Sequence, residues 1–151
     1  MHTQFDALII GFGKAGKTLA VALAGAGQRV ALVEQSPQMY GGTCINIACI
    51  PTKTLVSAAA AGRSIDEAFA RKTAVVTKLN GKNYHMLADN TGVMVIDGTA
   101  SFVDAHTVSV QAGEDHIELQ AERLFINTGA VPVMPAIAGI EQSAHVYTST
   151  E

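Results

Sequence analysis

The stretch Phe5-Asp6-Ala7-Leu8-Ile9-Ile10-Gly11-Phe12-Gly13-Lys14-Ala15-Gly16 decides the fold of this chain. Its first half is short and apolar, as a strand buried in a parallel sheet must be. Its second half is a G-x-G-x-x-G run. In such a run Gly11 permits a tight turn out of the strand. Gly13 lets the backbone approach a pyrophosphate, and Gly16 lets the following helix pack closely on the strand. The helix N-terminus then offers free N–H groups and a positive dipole end to the phosphates. Small residues from about Ala15 to Ala26 predict that helix, and Gly27 is its stop signal. Arg29–Glu34 reads as a second strand, which completes a βαβ unit over residues 4–35. Glu34 lies 18 residues past Gly16. Its carboxylate can accept hydrogen bonds from both hydroxyls of an adenosine ribose, and its charge would repel a 2′-phosphate. A glycine-rich turn in an unrelated α/β domain is the plainer reading. The strand before, the helix after and the acid at the right distance supply the context that a lone motif lacks.

Outward from this unit the chain reads in two further stretches. The first runs to about Asp89 and is helical. Ser64-Ile65-Asp66-Glu67 is a capping box, and Ile65, Phe69, Lys72, Val76 and Leu79 then recur at helical spacing, with Val75 in support. The second is strand-rich. Val93-Met94-Val95-Ile96 is apolar and suits the parallel sheet. Gly98–Val103, Thr107–Gln111 and His116–Gln120 predict three short antiparallel strands, with turns at Asp104-Ala105-His106 and Gly113-Glu114-Asp115. Arg123–Asn127 predicts a return strand leading into Thr128-Gly129-Ala130, after which Pro132 and Pro135 exclude regular structure.

Composition bounds the function. At 151 residues the chain can bury one domain's core and little more. With 48% hydrophobic and 15% charged residues it is globular rather than disordered. A net charge of −3 without a basic run argues against nucleic acid or an anionic membrane as a partner. No apolar run approaches the ~20 residues of a membrane span. Leu8-Ile9-Ile10 is too short for the core of a signal peptide. A cytoplasmic location is the expectation.

The chain has two cysteines, Cys44 and Cys49, five residues apart in Gly41-Gly42-Thr43-Cys44-Ile45-Asn46-Ile47-Ala48-Cys49-Ile50-Pro51-Thr52-Lys53. In a cytoplasmic setting such a pair points to redox or metal chemistry rather than to a structural staple. Half of a zinc site lacks its other half, because there is no second cysteine pair and the five histidines show no ligand spacing. Two inert buried thiols are the other plain alternative. Residues five apart in a regular helix are separated by a rise of about 7.5 Å. A disulfide usually needs Cα atoms within about 7 Å. Any helix carrying a bonded pair must therefore be distorted between them. Pro51 fits such a distortion, since its ring conflicts with the carbonyl of Ile47. Lys53, one helical turn after Cys49, would favour the thiolate there. A dinucleotide fold with a dithiol beside it suggests electron transfer between a flavin and the cysteine pair.

The cysteine segment closely resembles the redox-active segment of the class I pyridine nucleotide–disulfide oxidoreductases, which include glutathione reductase, dihydrolipoamide dehydrogenase and mercuric reductase. Gly11–Ala20 and Met39–Cys44 look most like the bacterial reactive-chlorine-resistance flavoproteins of that family. The resemblance covers essentially the whole chain. It implies a Rossmann-like α/β FAD-binding domain, with a parallel sheet and a three-stranded antiparallel meander, present as its N-terminal part. Residues 1–142 would form the first segment of that domain, and 143–151 a connector toward an NAD(P)-binding domain. Gly11, Gly13, Gly16 and Glu34 would hold the ADP half of FAD. Gly42 and Thr43 would lie against the pyrophosphate and ribityl region, and Ala100 near the adenine. Thr128 and Gly129 would close over the cofactor. Cys49 would be the thiol beside the isoalloxazine, Cys44 the interchange thiol that meets substrate, and Lys53 would sit near flavin N5. Ala48 stands where the family usually has glycine.

The resemblance also implies that the chain is a piece of a longer enzyme. The remainder would bring the nicotinamide site, further FAD contacts and a His–Glu pair supplied across a homodimer. None of His2, His85, His106, His116 or His145 matches that pair, and all read as surface or loop histidines. The expected activity is transfer of reducing equivalents from NAD(P)H through FAD to the Cys44–Cys49 disulfide. From there they pass to a disulfide, a soft metal ion or an oxidised thiol product, with a tilt toward oxidative-stress defence. A non-catalytic nucleotide-binding module whose cysteines sense redox state is the alternative. A domain with a vestigial nucleotide site is a third reading.

Overall fold

A computed structural model of the chain describes residues 4–140, 142–148 and 150. Part of the expected connector, and His2, lie outside the described residues. Six strands form one sheet in the order β3-β2-β1-β6-β5-β4. β1 (Gln4–Ile10) leads into helix α1 (Lys14–Gly25) and back to β2 (Val30–Glu34). β2 pairs parallel with both β1 and β3 (Val93–Asp97). The stop after α1 is as the sequence predicts: Gly27 takes φ +81° and donates its N–H to the Ala24 carbonyl.

Between β2 and β3 lie α2 (Thr43–Asn46), α3 (Cys49–Ala60) and α4 (Ile65–Ala88). The capping box opens α4, with the Glu67 N–H donating to Ser64 Oγ and the Ser64 N–H to the Glu67 carboxylate. The expected apolar stripe on α4 is only partly covered. Ile65 and Phe69 are exposed, whereas the buried positions are Ala68, Asn83 and Leu87. α4 packs along α3, and it reaches the core through Tyr84 and Leu87 near its C-terminal end. Lys72 covers the outer Phe69 ring at 4.9 Å from its centroid.

The return to the sheet differs from the sequence reading in one respect. His116–Gln120 and Arg123–Asn127 are not two strands but parts of one, β6 (Asp115–Ile126). Its first half pairs antiparallel with β5 (Thr107–Ala112), which in turn pairs with β4 (Thr99–Phe102). Its second half pairs parallel with β1, from Gln4↔Gln120 to Ile10↔Ile126. The sequence reading leaves only Ala121-Glu122 between the two predicted strands, and both residues are strand. Glu122 and Arg123 are both exposed, so the buried–exposed alternation slips there, while the pairing with β1 continues from Phe5↔Ala121 to Ala7↔Arg123.

Strand alternation splits the core into two layers. Ala7, Ile9, Val30 and Leu32 face the helices and meet Ala20, Tyr40 and Leu87. Leu8, Ala31, Val33 and Ile96 face the other way and meet Val108, Val110 and Leu119 of the meander. The parallel strands are therefore covered on both sides, which is why they read as continuous apolar runs.

One expectation needs correction. Thr43–Ala60, taken as a single stretch of 18 residues with mean hydropathy 1.2, is long and apolar enough by composition to cross a membrane. The count spans two helices. Ala48, at φ −104° and ψ −86°, breaks the helix between them, and the stretch carries Lys53.

Candidate active site

The ends of β1, β2 and β6 open onto a cavity of about 470 Å³. Of the sequence-predicted residues, Gly11, Gly13, Glu34, Gly42, Thr43, Ala100, Thr128 and Gly129 line it, and Cys44 stands at its border with them. Gly16 lies behind the wall, where its Cα face meets Ile9, the Gly11 carbonyl and Asn127. Cys49 and Lys53 are not on the lining. Both are exposed, and Lys53 borders a separate shallow cleft with Arg71 on α4.

Each glycine of the loop has a physical reason. Gly11 has φ +107°, and a Cβ there would fall 2.3 Å from the Asn127 carbonyl oxygen. Gly42 has φ +78°, and its Cβ would fall 2.9 Å from the Gly13 Cα. The glycine loop and the cysteine segment thus touch backbone to backbone. The first turn of α1 has neither a side-chain cap nor an acidic residue. Its N–H groups are free for an anion. A cradle of bare backbone at a helix N-terminus fits a pyrophosphate, and Glu34 at the cavity's far wall fits a ribose. The residues present therefore suit the ADP half of FAD.

Glu34 is buried and already tied to the loop, since Oε2 accepts the Phe12 N–H at 2.8 Å and Oε1 the Ser36 N–H at 3.1 Å. A carboxylate has about four acceptor sites, which leaves room for ribose hydroxyls.

The cysteine pair sits at the break between α2 and α3. Cys44 is on α2 and Cys49 is the first residue of α3, with Ile47 and Ala48 between. The helix is interrupted where a bonded pair would need it to be, though ahead of Pro51, which falls in the first turn of α3 where no N–H donor is needed. Both thiols are free. Cys44 is held above the ordinary thiol range, first by its hydrogen bond to Cys49 and then by burial, while Lys14 and Lys53 pull it down. Only Ile47 and Ala48 separate the two helices that carry the thiols, a placement suited to thiol–disulfide exchange.

Two groups of supporting residues are not evident from the motifs. Asn127, at the end of β6, donates Nδ2 to the Gly11 carbonyl at 3.1 Å and backs all three glycines of the fingerprint. Its place immediately before Thr128-Gly129 is the only sequence signal for it. Tyr40 is the second: its ring packs between Phe12 and Tyr84, and its hydroxyl donates to Asp97 at the end of β3. This locks the residue just before Gly41-Gly42 to the sheet.

Burial, then the bond to Asp97, raises the Tyr40 phenol above its ordinary value. A raised value means the fold keeps the proton that the unfolded chain loses. The stability this contributes is complete below the unfolded value of about pH 10 and drains away above it. Tyr40→Phe should cost about 1–2 kcal/mol at neutral pH and flatten the loss of stability above pH 10. Denaturant unfolding at both pH values checks this. An unchanged alkaline slope would show that Tyr40 does not carry it.

A sequence profile described as "Pyridine nucleotide-disulphide oxidoreductase" matches residues 5–151. The chain is 55% identical over 147 residues to the "Probable pyridine nucleotide-disulfide oxidoreductase RclA" of Escherichia coli (strain K12), covering 97% of this chain and 33% of that protein. It is 33% identical over 164 residues to a mercuric reductase of Lysinibacillus sphaericus, covering 97% of this chain and 29% of that protein. Among solved structures, the Cu(II) complex of the HOCl-induced flavoprotein disulfide reductase RclA from Escherichia coli superposes with a TM-score of 0.93 at 55% identity, over 99% of this chain and 34% of that one. The chain thus spans about a third of the length of these relatives. Members of the family use FAD and NAD(P)H. Profile, relatives and superposition agree with the glycine cradle and the adjoining dithiol: the chain belongs to the pyridine nucleotide-disulfide oxidoreductases.

Proposed function

We propose that this chain is the FAD-binding, dithiol-bearing first part of an NAD(P)H-dependent flavoprotein reductase. The observation that carries the reading is the contact between the two segments. Gly42 lies against Gly13, so the cysteine helix starts from the edge of the dinucleotide cradle, with Cys44 on the same cavity wall. When bound, FAD supplies a two-electron carrier that accepts hydride from NAD(P)H and passes electrons to a disulfide. The chain's own residues then have distinct tasks. The α1 N-terminus and the backbone of Gly11–Gly13 bind the pyrophosphate, and Glu34 orients the ribose. Gly42 and Thr43 carry the chain past the cofactor. Cys49, with Lys53 one turn along α3, would be the thiol on the flavin side. Cys44 meets the acceptor.

The acceptor class is a disulfide, an oxidised thiol or a soft metal ion. The relative named as a Cu(II) complex and as HOCl-induced favours a metal ion and a role in oxidative-stress defence. We place the protein in the cytoplasm as a homodimer whose second subunit completes the site, with residues 143–151 leading toward the NAD(P)-binding domain.

The test is the visible spectrum of the full-length protein before and after anaerobic NAD(P)H. A flavin spectrum that gains a long-wavelength band on reduction, and loses it in Cys49→Ser, is expected. A flavin that bleaches with no such band would sink the relay and favour a nucleotide-binding redox sensor.

A further inference from the structure

α2 has four residues, and its N-cap, Gly42, offers no side chain. A helix of that length does not persist on its own. Side-chain amides hold it. Asn46, its last residue, donates Nδ2 to the carbonyls of Tyr40 at 3.0 Å and Gly42 at 2.9 Å. The Oδ1 of Asn46 accepts from Asn80 Nδ2 of α4 at 3.1 Å. The same Asn80 nitrogen lies 3.2 Å from the Pro37 carbonyl and 3.0 Å from that of Gln38. One side chain on α4 thus grips both the turn that enters the cysteine segment and the helix that carries Cys44. Cys49 rides on the other side of the Ile47–Ala48 break, at the start of α3, and is outside this grip.

We propose that Asn80 is a positioning residue for the dithiol: it holds Cys44 in place beside Cys49 when the pair is reduced, and so sets how strongly the pair favours the disulfide. The inference rests on the electron-relay reading of the two cysteines. In the oxidised protein the S–S bond itself fixes the separation. In the reduced protein that bond is gone, and the helix break leaves Cys44 free to swing unless α2 is anchored. Two thiols held in reach of each other close with a high effective concentration, and loosening one of them lowers it. Against glutathione disulfide the exchange is balanced. The two protein S–H bonds are lost, one S–S bond forms, and two glutathione thiols are released. Two electrons pass from protein to glutathione.

The experiment equilibrates the full-length flavoprotein in anaerobic glutathione buffers. Acid quenching and alkylation follow, and the oxidised fraction of Cys44–Cys49 is counted by mass. Asn80→Ala should lower the equilibrium constant for disulfide formation about fivefold to tenfold, tenfold being a shift of about 30 mV toward easier reduction. Asn46→Ala should do the same. The double variant should lose less than the sum of the two single ones, because the two side chains share one hydrogen bond. A variant with a lowered melting temperature and an unchanged constant would reduce Asn80 to a structural residue and overturn the proposal. Additive effects would overturn the route through Asn46. A wild-type pair that forms no disulfide in any buffer would overturn the relay itself, a result distinguishable from the other two.

Discussion

Gly11→Ala should leave a full-length protein that neither retains flavin nor survives mild heating. The added methyl would meet the carbonyl oxygen of Asn127 at 2.3 Å and its carbonyl carbon at 2.7 Å. Both are backbone atoms at the end of β6, itself fixed by pairing with β1 along its second half. Neither can step aside as a flexible side chain would. The backbone at Gly11 also sits at φ +107°, where a side chain costs about 1–3 kcal/mol. Overpacking adds about 1–3 kcal/mol more. The sum, about 2–6 kcal/mol, reaches the lower end of an ordinary domain's stability of about 5–15 kcal/mol. Gly13→Ala is the informative contrast. Its nearest obstacle is the Asn127 side-chain nitrogen at 3.0 Å, which can give way. That variant should fold and lose flavin affinity instead. Thermal unfolding with flavin content measured on the same samples separates the two. Equal melting temperatures for Gly11→Ala and wild type would refute the turn geometry.

Cys44→Ser should cut NAD(P)H-dependent turnover with any disulfide acceptor by about three orders of magnitude or more, the scale of losing a nucleophile. Reduction of the flavin by NAD(P)H should continue, because the proposed relay puts Cys44 after it. Cys49→Ser should stop turnover as well, but at the earlier step. Stopped-flow reduction and steady-state turnover, run on both variants, assign the roles. Cys44 lines the cofactor cavity and Cys49 is the more exposed of the two. The assignment therefore rests on family resemblance and not on exposure. If Cys44→Ser abolishes the long-wavelength band and Cys49→Ser keeps it, the two roles are exchanged.

The dinucleotide unit was legible because every element of it is local. A strand, a turn and a helix with an acid downstream are each written within about 30 consecutive residues. The break between Cys44 and Cys49 was legible for the same reason, since a bonded pair at that spacing cannot sit on one regular helix. What the sequence concealed depends on partners far apart in the chain. Apart from its place before Thr128-Gly129, Asn127 gives no sign in the sequence that it will back Gly11 from a distance of 116 residues. Asn80 and Asn83 look like weak helix formers until the cysteine segment is placed beside them, where Asn83 packs under Gly41 and bonds Lys17. The exposed stripe at Ile65 and Phe69 misled for a related reason. Periodicity reports that a helix has an apolar face, but not whether anything in the same stretch of chain covers it.

Because β6 changes partners in mid-strand, insertions and deletions should be tolerated very unequally along it. The hairpin tip at Gly113 faces open space at φ +66°, so an added residue there can be absorbed as a longer loop. A single deletion near Ala121 has no such outlet. With a side-chain period of two, it would turn Leu119 out of the meander's core or Leu124 to the opposite face. It would also pull Asn127, Thr128 and Gly129 one position back from the cavity they border. Anyone splicing this domain with a relative should therefore place the junction at the hairpin tip and carry residues 115–129 across as one indivisible cassette.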